Sequence, residues 1–261
     1  MKFSGKIILS LIIALSVLST QAQVTKKTPV KPKSSSTVKK TKSATTVKAT
    51  KKVDVPMPDS TRPETRVKIT TDMGEIIVKL YNKTPLHRDN FIKLVEAHFY
   101  DSLLFHRIIN GFMIQGGDPE SKNAKPGIQL GKGDVGYKIP AEFDSTLYHK
   151  KGALAAARNN NPEKASSGCQ FYIVQGKKYS DEELDMISIN NGLQFSSARR
   201  MTYKMLGGTP KLDMEYTVFG EVESGLEVVD MIAMAPKGNY DRPTTDIHMR
   251  MEVLPEIKNV K

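Results

Sequence analysis

Apolar and polar positions alternate along two short segments where the hydrophobic patterning of the chain begins. Residues 66–71 and 75–81 place apolar side chains at alternate positions, and residues 72–74 lie between them. A period of two is typical of strands with one buried face, and a short turn between two such strands predicts a β-hairpin. The pattern therefore predicts that a folded domain begins near Arg66.

A helical period follows this hairpin. Thr84 and Pro85 are typical of a helix N-terminus, with threonine as the N-cap and proline in the first turn. Apolar side chains then recur at helical spacing as far as His98, which predicts a helix packed on a core. Residues 226–233 predict a second helix of the same kind.

Short apolar runs separated by glycine-containing turns fill most of the remaining chain. The runs are 103–109, 111–115, 153–157, 171–174, 216–219 and 247–253. Many short strands with one helix near each end predict a mainly β fold, a closed antiparallel barrel whose openings are covered by helices.

Residues 178–208 interrupt the series of strands. A capping-box pattern at 180–183 predicts a helix that ends near 190–192, and a second short helix is predicted over about 197–206, before two glycines. We interpret this segment as a helical hairpin inserted between two strands.

The first 22 residues are typical of a secretory signal peptide. Lys2 and Lys6 precede a mostly apolar run over 7–18, which is too short to span a bilayer, and residues 20–22 suit cleavage before Gln23. The sequence therefore predicts export to the periplasm or the exterior. An uncleaved membrane anchor is the alternative.

Residues 23–65 are predicted to be a disordered linker rich in Lys, Thr and Ser. The chain carries a net charge of +11, yet residues 1–53 hold twelve lysines and no acidic residue, which leaves a net charge of −1 for 54–261. The folded part thus lacks the basic footprint of nucleic-acid binding. The lysine-rich arm is either a simple solvated spacer or a weak electrostatic contact for anionic surfaces.

Residues 105–118 read FHRIINGFMIQGGD and closely resemble the signature of the cyclophilins. Further segments that resemble active-site parts of this family follow in the same order: 152–158, 167–173, and then 212–213 with 216–220. The resemblance covers roughly 66–255, leaving 256–261 as a tail. It implies a closed eight-stranded antiparallel β-barrel capped by two α-helices, here with the helical insertion 178–208 before the last active-site strand.

The resemblance implies peptidyl-prolyl cis-trans isomerase activity on proline-containing proteins or peptides, and so a role in folding exported proteins. Arg107 is then the catalytic residue, because a guanidinium can donate to the proline nitrogen as the amide twists. The implied substrate-binding residues are Phe112, Met113, Gln115, Ala157, Arg158, Gln170, Tyr172, Leu212 and Tyr216. His106 is predicted to have a packing or hydrogen-bonding role, since isomerisation needs no proton transfer.

Two rival interpretations remain at this level. One is a low-activity module on the same fold that binds proline peptides, and the other is an attachment protein in which the lysine-rich arm is the functional part. No metal motif, phosphate loop or nucleophile elbow is present, so we expect neither cofactor nor metal. The lone Cys169 excludes an intramolecular disulfide and is predicted to be a small buried strand residue. We expect a monomer.

Overall fold

The computed structural model describes residues 63–256. The predicted signal peptide (1–22), nearly all of the predicted linker (23–65) and all but the first residue of the predicted tail (256–261) lie outside the described residues. None of the helices in the described part is long and apolar enough to cross a membrane.

Ten strands and four α-helices form the part of the chain that the structure describes. The strands are β1 (Arg66–Thr71), β2 (Gly74–Leu80), β3 (Leu103–Ile109), β4 (Met113–Gly116), β5 (Lys138–Ile139), β6 (Ala153–Ala156), β7 (Ser166–Ser167), β8 (Phe171–Val174), β9 (Val218–Ser224) and β10 (His248–Val253). The helices are α1 (Pro85–Glu96), α2 (Asp181–Asn191), α3 (Ser197–Met205) and α4 (Leu226–Met234).

Eight of the strands close into an antiparallel barrel. Their order around it is β1-β10-β3-β4-β8-β6-β9-β2, and β2 pairs again with β1. Strands β5 and β7 form a separate two-stranded ribbon. Closure leaves no barrel strand with a free edge, which is how an all-antiparallel sheet avoids pairing with other chains. The predicted fold class is confirmed.

Two apolar clusters lie on opposite faces of the same strands. The larger cluster contains Ile114, Leu154 and Ile173. Their chain neighbours Met113 and Tyr172 belong to a smaller second cluster. Successive side chains of a strand point to opposite faces, so strands with two buried faces show continuous rather than alternating burial. Both β6 and β8 are buried at all four positions, and this second face carries the site described below.

The two capping helices pack their apolar faces on the larger cluster through residues such as Phe91 of α1 and Val229 of α4. Thr84 occupies the predicted N-cap position, but its hydroxyl donates to the Tyr81 carbonyl instead of capping the helix. The first-turn amides of α1 donate to the Glu142 carboxylate, which comes from a distant loop. Because Glu142 is distant in the sequence, this N-terminal cap of α1 could not be predicted from the local sequence.

Helices α2 and α3 form the predicted insertion between β8 and β9. The capping box is present, because Ser180 accepts from the Glu183 amide and the Glu183 carboxylate accepts from the Ser180 amide. The two ends of the insertion meet where Gly208 bridges to both Lys150 and Lys177. A Cβ on Gly208 would collide with the His149 carbonyl, so only glycine permits this close approach.

Some details differ from the sequence-based prediction, and the strand predicted over 111–115 is observed at Met113–Gly116. The strand predicted over 216–219 begins at Val218 and continues to Ser224. The Tyr216 amide donates to the Leu212 carbonyl in a turn, which keeps Tyr216 out of the sheet. Cys169 is buried as expected, but it lies in the bend before β8 rather than in a strand.

Candidate active site

Four neighbouring strands place one residue each in a row across the second face of the barrel. Arg107 on β3 pairs with Gln115 on β4, Gln115 pairs with Tyr172 on β8, and Tyr172 pairs with Ala155 on β6. The register of β3 against β4 shifts between Phe105 and Arg107. Pairing thus brings together side chains that are far apart in the sequence, and Met113 lies on the same face as Gln115.

A chain of side-chain hydrogen bonds leads away from Arg107. Its Nη1 donates to Gln115 Oε1 over 3.3 Å, and Gln115 Nε2 donates to Gln170 Oε1 over 3.1 Å. Gln170 in turn donates to the backbone carbonyls of Gly133 (2.8 Å) and Gly131 (3.2 Å). These contacts fix the orientation of both amides and hold one edge of the guanidinium.

Asp241 approaches Arg107 from a separate turn. Its Oδ2 lies 3.5 Å from Arg107 Nε, and its Oδ1 lies 2.6 Å from Lys237 Nζ. Asp241 and the preceding Tyr240 both have positive φ angles, 58° and 61°, which residues other than glycine rarely adopt. No local sequence pattern links this turn to β3, so the contact of Asp241 with Arg107 could not be predicted from the sequence.

Nine of the ten predicted site residues line a single pocket of about 120 Å³ beside Arg107. Phe112, Met113, Tyr172 and Leu212 supply its apolar walls, and Tyr216 closes one side. The tenth residue, Gln170, lines a second pocket of about 290 Å³ that also contains Gln115, Ala157 and Arg158. The structure thus brings the predicted residues together, and their roles in binding stay predictions.

Arg158 supports the pocket wall rather than projecting freely. Its Nε donates to the Glu215 carbonyl over 3.0 Å, and its Nη2 lies 3.2 Å from the Glu215 carboxylate. The guanidinium lies 4.6 Å from the centre of the Tyr216 ring, a cation–π distance. The Tyr216 ring meets Tyr172 edge to face, at 5.9 Å between centroids. Together these contacts fix the ring of Tyr216 against the pocket.

A buried polar network lies behind Tyr172. The Tyr172 hydroxyl lies 2.9 Å from His149 Nε2, and His149 Nδ1 lies 3.0 Å from Asp213 Oδ1. Asp213 also accepts from the His149 amide and from the Tyr203 hydroxyl of α3, over 2.9 and 2.7 Å. These contacts are consistent with Nδ1 carrying the imidazole proton and Nε2 accepting from Tyr172. The pocket wall is therefore connected to the insertion.

Two titratable side chains near the site stay neutral at neutral pH. Burial lowers the pKa of His106 to about 4, with the nearby Arg107 cation acting in the same direction and Asp118 opposing it. Neither ring nitrogen of His106 has a well-formed hydrogen bond within residues 63–256. Burial likewise raises the pKa of the Cys169 thiol to about 11, which disfavours a nucleophilic role.

No group of three His, Cys, Asp or Glu side chains that could hold a metal ion is found among residues 63–256. The site contains a guanidinium, carboxamides and an apolar pocket. Such a set can hold a ring and donate hydrogen bonds to an amide, and rotation about an amide bond needs no covalent step.

The family model described as cyclophilin type peptidyl-prolyl cis-trans isomerase/CLD matches residues 66–253. A protein of Staphylococcus aureus (strain USA300) with the provisional name peptidyl-prolyl cis-trans isomerase is 34% identical over 185 residues, which cover 70% of this chain and 88% of that protein. A protein of Streptococcus pyogenes serotype M6, provisionally named a bifunctional phosphatase/peptidyl-prolyl cis-trans isomerase, is 36% identical over 187 residues, or 70% of this chain. The match spans only 37% of that longer relative.

Among solved structures, the chain resembles a cyclophilin type peptidyl-prolyl cis-trans isomerase of Cryptosporidium parvum. The TM-score is 0.54 at 22% identity, covering 74% of this chain and 99% of the other. A second structure of that protein, determined in the presence of the dipeptide Ala-Pro, matches with a TM-score of 0.53. These structures support the fold, and the family match supports the class. The chain belongs to the cyclophilin-type peptidyl-prolyl cis-trans isomerases.

Proposed function

We propose that this isomerase accelerates rotation about X-Pro bonds in exported proteins and so assists their folding outside the cytoplasm. The predicted signal peptide over residues 1–22 supports the location. The proposal assigns Arg107 as the catalytic residue and the other nine predicted residues to substrate binding.

The chemical demand on such a site is moderate. The amide C–N bond resists rotation by about 18–20 kcal/mol because of its partial double-bond character. Uncatalysed isomerisation takes tens to hundreds of seconds, so millisecond turnover needs a rate increase of about 10⁴–10⁵-fold, or about 5.5–7 kcal/mol.

Arg107 supplies part of this stabilisation. When the amide twists, the proline nitrogen regains a lone pair, and a guanidinium beside it can donate a hydrogen bond that the planar amide cannot accept. A hydrogen bond to a charged group contributes about 1.5–3 kcal/mol, so the remainder comes from binding the twisted amide better than either planar form. A guanidinium carries its positive charge at all relevant pH values.

The pocket beside Arg107 suits a proline ring. Its walls are apolar and it is small, about 120 Å³, so it favours a compact ring over a long side chain. The Cryptosporidium structure determined in the presence of Ala-Pro supports a proline peptide as the ligand of this fold.

One observation carries the proposal: Gln115 and Asp241 hold the Arg107 guanidinium from two sides at the mouth of the apolar pocket. A module that only binds proline would not need an oriented cation there. This arrangement favours catalysis over the alternative of a low-activity proline-peptide binding or chaperone module.

A protease-coupled isomerisation assay on the mature protein tests the catalytic part. Arg107→Ala should lower kcat far more than it weakens peptide binding. Arg107→Lys should also lower kcat substantially, because the point charge of a flexible lysine cannot replace the planar guanidinium group. Equal kcat in the Arg107→Ala variant and the parent would contradict the mechanism. Peptide binding without measurable turnover in the parent would favour the binding-module alternative.

Cell fractionation tests the location. We expect to recover, outside the cytoplasm, a chain that begins at Gln23 and has lost residues 1–22. Recovery of the full-length chain in the membrane fraction would support the uncleaved anchor instead. Surface retention that disappears when residues 24–53 are deleted would indicate that the lysine-rich arm is an attachment device.

A further inference from the structure

A large groove lies between the helical insertion and the proline pocket. It has a volume of about 790 Å³, against about 120 Å³ for the proline pocket itself. The two spaces adjoin, because Phe112 and Leu212 line both. We call this space the insertion groove.

Helix α2 lines the insertion groove with two apolar side chains, Met186 and Ile187, among four polar ones. The side chain of Met186 in α2 lines the groove and is 59% exposed, whereas its neighbour Ile187 is only 5% exposed. A large side chain left exposed in a concave surface beside a binding pocket is typical of a contact site for a partner. The volume also falls within the range of about 300–1,000 Å³ that is usual for ligand sites.

A cation stands at the junction of the two spaces. Lys211 lines the insertion groove and directly precedes Leu212 of the proline pocket. It is exposed, and no carboxylate lies within ion-pair distance of it among residues 63–256. By contrast, Lys177 across the groove is paired with Glu183 at 2.6 Å.

We propose that the insertion groove binds the client segment that flanks the isomerised proline. The preferred segment is extended and carries a large apolar side chain that packs on Met186, with a carboxylate near Lys211. This inference rests on the proposed function, because it takes the proline pocket as the anchor of the same peptide. The insertion would then select clients by their sequence next to the proline, rather than act on every proline equally.

Peptides of equal length test the inference in the isomerisation assay with the mature chain. Leucine or serine is placed two or three residues from the proline, on either flank. We expect leucine to raise kcat/KM about tenfold over serine on one flank only, the flank that enters the groove. Met186→Ser should reduce this ratio to about twofold. Met234→Ser on α4 is the matched control, since Met234 is also 59% exposed and lies outside the groove, and it should keep the parent ratio.

A charge exchange provides the second readout. Two further peptides carry either glutamate or lysine beside the leucine. The glutamate peptide should have a kcat/KM about threefold higher than that of the lysine peptide at low salt, and Lys211→Glu should reverse this preference.

Equal kcat/KM for leucine and serine peptides on both flanks would overturn the inference while leaving the proposed function intact. So would a concentration-dependent dimer that Met186→Ser dissociates, since the occupant would be a second copy. Failure to turn over any proline peptide would overturn both.

Discussion

The hydroxyl of Tyr172, whose ring forms a wall of the proline pocket, lies 2.9 Å from Nε2 of the fully buried His149. His149 and the Tyr203 hydroxyl of α3 both contact the Asp213 carboxylate. The buried Asp213 carboxylate therefore contacts α3 directly and strand β8 only through His149, and the loss of a donor at such a buried position is costly.

Removing the Tyr203 hydroxyl tests this shared network. Tyr203→Phe withdraws one donor from a carboxylate that is 2% exposed, so we expect the free energy of unfolding to fall by about 1.5–3 kcal/mol in urea titrations. Tyr148→Phe is the matched control. Its hydroxyl donates to the neutral Thr202 over 3.1 Å at a half-buried position, and its loss should cost about 1 kcal/mol or less. Equal losses in both variants would contradict the special importance of Asp213.

Asp241 is expected to position Arg107. Asp241→Asn removes the charge 3.5 Å from Arg107 Nε, so kcat should fall about two- to fivefold while KM stays close to that of the parent. Added salt should lower kcat of the parent toward that of the variant, because exposed ion pairs are screened. Lys237→Gln, which removes the other partner of Asp241, should change kcat less. An unchanged kcat in Asp241→Asn would show that Gln115 alone orients the guanidinium.

His106 should make the fold sensitive to acid. Its pKa is about 4 in the folded protein against an ordinary value of 6.5, so the unfolded chain takes up a proton first as pH falls. The contribution of the neutral His106 side chain to the free energy of unfolding is complete above pH 6.5 and is lost progressively as the pH falls toward 4. Between pH 7 and pH 4.5 the parent should lose about 2 kcal/mol more unfolding free energy than His106→Phe, measured by urea titration at both pH values. Parallel losses in the two proteins would refute this assignment.

The close approach at Gly208 predicts a specific weak point. Gly208→Ala directs a Cβ at the His149 carbonyl and forces backbone apart where the insertion joins the barrel, so we expect a loss of about 2–4 kcal/mol in unfolding free energy. Gly192→Ala is the control, because Gly192 has a φ of +64° but nothing within 4 Å of its Cβ. That variant should lose only about 1 kcal/mol from backbone strain. Similar losses in both would mean that the junction can relax.

The local pattern of apolar and polar residues was sufficient to predict most of the strands and helices. The alternation over 66–71 and the run over 171–174 match β1 and β8 as observed, and the capping box correctly marked the start of α2. The two-residue strands β5 and β7 were missed, because so short a pairing leaves no periodic signal. Strand β9 was placed too early, since Tyr216 is apolar enough to extend a strand pattern but packs on Arg158 outside the sheet.

The site was accessible to sequence reasoning only through its motif. Arg107, Phe112, Met113 and Gln115 lie within one short segment, so a resemblance could identify them together. Asp241 and His149 could not be found in this way. Their contacts depend on how distant turns meet once the barrel closes, and neither residue lies in a segment whose periodicity differs from that of an ordinary turn.

Burial of β6 and β8 on both faces has a further consequence for amide hydrogen exchange. Both strands have barrel neighbours on each side, and their side chains pack against a cluster above and a cluster below. Exchange through partial opening is slowest where buried contacts are most numerous, so the amides of β6 and β8, including that of Tyr172 in the pocket wall, belong among the last to exchange. These amides would then exchange only when the barrel itself unfolds.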